Sequence, residues 1–268
     1  MSGAPAGRWA AVREPLHAEW TKLRTVASTG WLLLASVALI VGASAMAAAI
    51  VKCPGTCTAD TTRLSLTGVL LGQATLATLA VLVMTGEYST GMIRVTLAAM
   101  PRRPALLAAK AAVVTAVVLA AGTVAVLGSL LAGRLLLPGS GFSPAHGFSP
   151  LSLAHGPTLR AAAGSVLYLV LVALLSLGAA SALRDSALAI TVALGLLYIF
   201  PVLGNVILSG RWRHDLGQWA PANAGLDIQA TRHLGALPIG PWAGLGVLAA
   251  WAGAALLAGG LLLRLRDA

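Results

Sequence analysis

Residues 160–184 read RAAAGSVLYLVLVALLSLGAASALR, two arginines enclosing 23 residues without a charge. An α-helix rises 1.5 Å per residue, so such a run is long enough to cross the ~30 Å hydrocarbon layer of a bilayer. The same pattern recurs on either side. Arg24 to Lys52, Arg63 to Glu87, Lys110 to Arg134 and Arg232 to Arg264 enclose no Asp, Glu, Lys or Arg. Asp185 to Asp215 is broken only by Arg211 and Arg213. These stretches predict six membrane spans, near 30–51, 64–85, 111–133, 161–183, 187–208 and 242–263. A membrane β-barrel would alternate apolar and polar residues along ~10-residue strands, and these runs do not alternate.

Composition agrees with that reading. Of 268 residues, 58% are hydrophobic and 10% charged, and the mean hydropathy is +0.87. A soluble domain carries about 25% charged residues, so this chain has too few to cover a water-facing surface. Disorder is excluded too, because it needs low hydrophobicity. The net charge of +10 comes from 18 Lys and Arg against 8 Asp and Glu. The basic residues are scattered between apolar segments, which suits topology signals and anionic lipid headgroups rather than nucleic acid.

With six spans both termini share one side. That side would hold Arg8, Arg13, Lys22, Arg24, Arg94, Arg102, Arg103, Lys110, Arg184, Arg264 and Arg266, eleven in all. The other would hold Lys52, Arg63, Arg134, Arg160, Arg211, Arg213 and Arg232, seven in all. The excess predicts cytoplasmic termini in the plasma membrane. The first apolar run exceeds the ~7–15 residues of a signal peptide, so it reads as a retained span.

The first 29 residues read as a cytosolic N-terminus, and 30–268 as the transmembrane domain. Leu16, Trp20, Leu23 and Ala27 recur at spacings of 4, 3 and 4, with His17, Glu19, Lys22 and Arg24 on the other side. That pattern predicts an amphipathic helix over 14–28 in the headgroup layer. In the connection 86–110, Met92, Ile93, Leu97 and Met100 share a helical face, and Pro101 and Pro104 bracket Arg102 and Arg103. This predicts a short helix followed by a basic turn. Leu183 to Ser186 must turn the chain sharply, making spans four and five antiparallel neighbours. Loop 134–160 carries a repeat, Gly141-Phe142-Ser143-Pro144 and Gly147-Phe148-Ser149-Pro150, which predicts irregular backbone. Loop 209–241 would lie on the membrane surface or dip back into it.

The chain lacks the chemistry of several machines. Its three lysines precede Leu23, Cys53 and Ala111, so no phosphate-binding Gly-Lys-Ser or Gly-Lys-Thr exists. Neither a zincin His-Glu-x-x-His nor a Gly-x-Ser-x-Gly elbow occurs. His214-Asp215 is an adjacent loop pair with no evident nucleophile. Cys53 and Cys57 suit a local structural bridge or two free thiols better than redox catalysis. The six span cores contain no Asp, Glu, Lys, Arg or His, so proton relays and voltage sensors are unsupported. Gln73 and Asn205 are the costliest of their polar groups to leave facing lipid. Both should face the bundle or a partner and are candidates to line a substrate path. Gly178, Ala182, Gly253 and Ala254 would permit close helix packing. The chain thus reads as a membrane pathway whose energy comes from elsewhere.

At this point the residues resemble a family. Ala18-Glu19-Trp20-Thr21-Lys22-Leu23-Arg24-Thr25 leads to Gly30-Trp31. Glu87-Tyr88 is followed by Gly91-Met92-Ile93-Arg94, Thr96-Leu97, Pro101-Arg102-Arg103 and Lys110. Gly178 to Arg184 precedes Ala187, Ile190 and Phe200-Pro201. Over about residues 15–265 the chain resembles membrane subunits of ABC-2 type ATP-binding-cassette transporters, as found in high-GC actinobacteria. The resemblance implies an all-α membrane protein of six transmembrane helices, with an N-terminal interfacial helix and a cytosolic coupling helix between spans two and three. It implies a permease, of an exporter in our reading, that binds no cofactor itself. A cytosolic ATPase subunit would bind ATP and Mg, and a second permease copy or paralogue would complete the membrane unit. Glu87, Tyr88, Arg94, Arg102 and Arg103 would then contact the ATPase. Family substrates span drugs, antibiotics, lipids, glycans and small ions. Two competing readings are an integral membrane enzyme acting on lipid and a non-transporting sensor or assembly subunit.

Overall fold

The computed structural model describes residues 27–53, 58–89, 103–143, 148, 151–202 and 218–265. No strand occurs among them. The helices are α1 (Ala27–Ile50), α2 (Thr61–Ser65), α3 (Gly68–Ser89), α4 (Arg103–Leu136), α5 (Gly156–Leu183), α6 (Ser186–Leu194), α7 (Pro221–Leu226) and α8 (Pro241–Leu265). A π-helical turn, Gly195–Ile199, prolongs α6, and the helix runs on to Val202.

Five helices are long and apolar enough to cross a membrane: Thr29–Ile50, Gly68–Gly86, Ala105–Ser140, Gly156–Leu183 and Pro241–Leu265. The expected span 187–208 is seen as an apolar helix from Ser186 to Val202. That is about 25 Å of rise, short of the hydrocarbon thickness. Residues 203–208 lie outside the described part, as do residues 14–26 of the expected interfacial helix 14–28 and residues 90–102 of the connection.

The connection 86–110 is shorter than its sequence suggests. Helix α3 continues through Glu87 and Tyr88 to Ser89, and α4 already starts at Arg103. Pro104 is tolerated in a first turn, and Ala105-Leu106-Leu107-Ala108-Ala109 are strong helix formers. Lys110 therefore lies two turns inside α4, only 2% exposed, its ammonium donating to the Val83 carbonyl at 3.4 Å.

Helix α5 is the centre of the bundle, packed by α8, α3, α4 and α6, while α1 lies against α3 and α4. Its end is tight. Arg184 takes a left-handed conformation at φ 60°, which non-glycine residues rarely adopt. Asp185 then caps α6, accepting from the Leu188 N–H at 2.7 Å. This two-residue link turns the chain back on itself, and α6 packs antiparallel on α5.

Small residues set the closest crossing. A Cβ on Gly178 would lie 2.5 Å from the Ala255 carbonyl carbon, and one on Gly259 would lie 1.7 Å from Ser181 Oγ. Gly178 thus serves the packing role its size suggested, against Ala255 and Leu256, and Gly259 packs one turn on against Ser181. Gly253 faces open space.

Candidate functional site

One polar cluster stands out inside this apolar bundle. Gln73 of α3 and Tyr168 of α5 are both fully buried, and the Tyr168 hydroxyl donates to Gln73 Oε1. Tyr198 projects from the π-helical turn. Its hydroxyl donates to the Leu70 carbonyl and is a neighbour of the Gln73 amide. The Gln73 Nε2 makes no hydrogen bond of its own among the described residues. A buried amide donor left unmade costs about 1–3 kcal/mol, so such a group is a place to look for function. π-Helical turns are likewise concentrated at functional sites.

The segment 218–232 closes over this cluster. Helix α7 has its first turn started by Pro221, and Ala220, Ala222, Ala224, Ile228 and Ala230 are buried. A Cβ on Gly225 would stand 2.7 Å from the Tyr168 ring, so the α7 backbone lies directly on that ring. Residues 220–230 of loop 209–241 therefore dip into the bundle, while 232–236 are exposed on its surface.

A polar lattice pins the segment in place. Asp60 caps α2 through Thr62 N and Arg63 N, at 3.1 and 3.2 Å. It also accepts from Thr231 N, from Thr231 Oγ1 at 2.7 Å and from Arg232 N at 3.0 Å. One carboxylate thus ties two connections far apart in sequence. Arg160 donates to the Ala230 carbonyl, and Gln229 donates to Ser165 Oγ at 3.1 Å. Arg63 approaches Asp227 at 3.9 Å. Burial pushes the Asp227 carboxyl above the usual carboxylate range, with Arg63 pulling it back in part.

The Gly-Phe-Ser-Pro repeat contributes to the same end. The Phe142 and Phe148 rings meet edge to face with centroids 5.1 Å apart. The Arg232 guanidinium sits 5.1 Å above the Phe148 ring. Gly141, at φ +93°, lets the chain pass the Cys53 carbonyl where a Cβ would come within 2.3 Å. Cys53 is disulfide-bonded. Cys57, the one other cysteine of the chain, lies outside the described residues.

At the opposite end, Tyr88 is half-buried and lies under Arg184, whose guanidinium is 5.7 Å from the ring centroid. Glu87 lies in the last turn of α3 and Arg103 opens α4. Arg94, Arg102 and Asn205 lie outside the described residues. Of the expected path residues, Gln73 is thus in the buried cluster. Tyr168 and Tyr198 were not singled out in sequence. Their pairing with Gln73 depends on how three helices meet, and no spacing in the sequence reports it.

The fold defines an all-helical bundle of the membrane-spanning type with a polar cluster sealed at one end. Comparison of the sequence with protein-family models and with curated proteins gives no match.

Proposed function

We propose that this chain is the membrane-spanning permease subunit of an ATP-driven exporter of the ABC-2 type. In this reading the helix Ser186–Val202 continues through residues 203–208 as a sixth span. Both termini lie in the cytoplasm, and a second permease copy completes the unit. The observation that carries the reading is the Gln73–Tyr168–Tyr198 cluster, a buried polar inclusion roofed by the folded-back segment 218–232. Polar groups inside a membrane bundle are costly, and they commonly mark substrate pathways. The roof would be the closing element of that path at the Asp60 end.

The energy source follows from what the spans contain. The five long helices carry no Asp or Glu within their apolar windows, so a carboxylate proton relay has no candidate there. The chain has no phosphate-binding lysine motif either. A separate cytosolic subunit would hold ATP and Mg, docking on residues 86–103 through Glu87, Tyr88, Arg94, Arg102, Arg103 and the face of Met92, Ile93 and Leu97.

Burying one apolar side chain contributes roughly 1.5–3 kcal/mol, more than an exposed ion pair. Ile93→Asp should therefore abolish co-purification of the cognate ATPase while the chain still inserts. Arg103→Ala should weaken capture modestly, and more at low salt than at high salt. Undiminished ATPase capture by Ile93→Asp would sink the reading.

A further inference from the structure

A groove of about 380 Å³ opens on the flank of the bundle at the Asp60 end, between the last turns of α4 and the start of α5. Leu127, Leu130, Leu131, Leu151 and Leu153 line it. Three of these leucines, Leu127, Leu131 and Leu153, are 42–58% exposed, where a bilayer would supply the missing apolar contact. Its polar lining groups are Arg134, Ser152 and Thr158. Arg134 sits two helical turns beyond Leu127, about 10 Å nearer the end of the helix. Along α4 the lining thus passes from leucines at 127–131 to a cation nearer the helix end.

Two further observations define what the cationic end takes. Arg134 is exposed, and among the described residues it has no acidic partner. No Asp or Glu lines the groove. Thr158 is 8% exposed, yet its hydroxyl meets no hydrogen-bond partner among the described residues. The helical Thr78, Thr85, Thr123 and Thr191 all bond the carbonyl four residues back. Thr158 stands in the first turn of α5, where no such helical carbonyl exists, and its side chain borders the groove instead.

From this gradient we infer that the groove is a binding site for one anionic phospholipid of the leaflet at this end. An acyl chain would lie along Leu127, Leu130 and Leu131. The headgroup phosphate would accept hydrogen bonds from the Arg134 guanidinium and the Thr158 hydroxyl, a charge-assisted arrangement. The second lateral groove, between α4 and α8, has Arg264 as its one charged lining residue and no side-chain hydroxyl. It supplies an internal comparison of equal charge.

The test is native mass spectrometry of the full chain in detergent, titrated with phosphatidylglycerol or with phosphatidylcholine. Wild type should keep one phosphatidylglycerol under activation that strips phosphatidylcholine. Arg134→Gln should bind phosphatidylglycerol about tenfold more weakly, the scale of one charge-assisted hydrogen bond. Thr158→Val, nearly isosteric, should weaken it a fewfold. Leu127→Trp should block the apolar part and lose the lipid with Arg134 intact. Arg264→Gln should retain it. The site is refuted if Arg134→Gln and Thr158→Val hold phosphatidylglycerol as well as wild type. It is equally refuted if phosphatidylcholine is kept as firmly, or if Arg264→Gln loses as much as Arg134→Gln. Thermal unfolding of each variant separates loss of the lipid from loss of the fold.

Discussion

At the scale of single residues, the Gln73–Tyr168 pair carries the most testable chemistry. Each partner is buried on a different helix, so removing one hydroxyl leaves a second unmet group on Gln73. Tyr168→Phe should destabilise the chain by about 1–3 kcal/mol in detergent unfolding. Gln73→Leu added to Tyr168→Phe should recover part of that loss, because the stranded amide is then gone. Simple additivity of the two substitutions would show that the hydrogen bond is energetically idle. Asp227 makes a second residue-scale prediction. Its carboxyl is raised by burial, so the folded chain binds that proton more tightly than the unfolded one. Its contribution to stability is complete below the ordinary carboxylate range and is lost as pH rises through the raised folded value. Asp227→Asn should therefore melt at a higher temperature than wild type at neutral pH, with the gap closing in acid. A gap that widens on acidification would mean that the Arg63 pair outweighs burial.

At the scale of elements, the contact between α5 and α8 is made by absent side chains. Gly178 and Gly259 let the two backbones approach, and dispersion plus close packing hold helices together where lipid is as apolar as the protein. Gly259→Leu should cost about 1–3 kcal/mol through overpacking. Gly253→Leu, on the same helix but facing open space, should be nearly silent. Equal melting of the two variants would contradict the packed crossing. The segment 218–232 is held differently, by polar bonds from Asp60, Arg160 and Ser165 rather than by its own length. A six-residue helix such as α7 is far too short to stand alone. Its form depends on the ring of Tyr168 beneath it and the Asp60 carboxylate beside it.

At the scale of the whole molecule, the two ends differ in chemistry. One end holds Asp60, Asp227, the paired phenylalanines and the disulfide-bonded Cys53. The other holds Tyr88, Lys110 and Arg184. Ser143 belongs to the first end, since its neighbour Phe142 packs with Cys53 and Leu137, and Ser89 closes α3 at the second. With the termini cytoplasmic, as proposed, a cysteine placed at Ser143 should react with an impermeant reagent in intact cells, and one placed at Ser89 should react only after the membrane is opened. Labelling of both from one side would overturn the arrangement.

How much of this was legible in sequence differs by kind of feature. The charge-free runs set the helical class and the approximate helix positions, because a chain with so few charges has only apolar surroundings to fold into. Helix ends were misjudged where a helix carries polar residues inward. Lys110 read as a boundary because it is charged, yet its stem packs in the bundle while its ammonium reaches the Val83 carbonyl. The burial of Gln73 followed from the cost of exposing an amide to lipid. Its partners did not, because Tyr168 and Tyr198 are 95 and 125 positions away and the three meet only where α3, α5 and the π-helical turn cross. The fold of loop 209–241 was equally open, since the same apolar and proline-rich composition suits a surface layer or an inserted roof. The sequence by itself determined that this chain forms long apolar helices, because hydropathy is a property of each segment alone. Only the tertiary structure decided which polar groups share one buried cluster and that 218–232 covers it. Those outcomes rest on contacts between segments remote in the chain, whose energy exists only once the helices are packed.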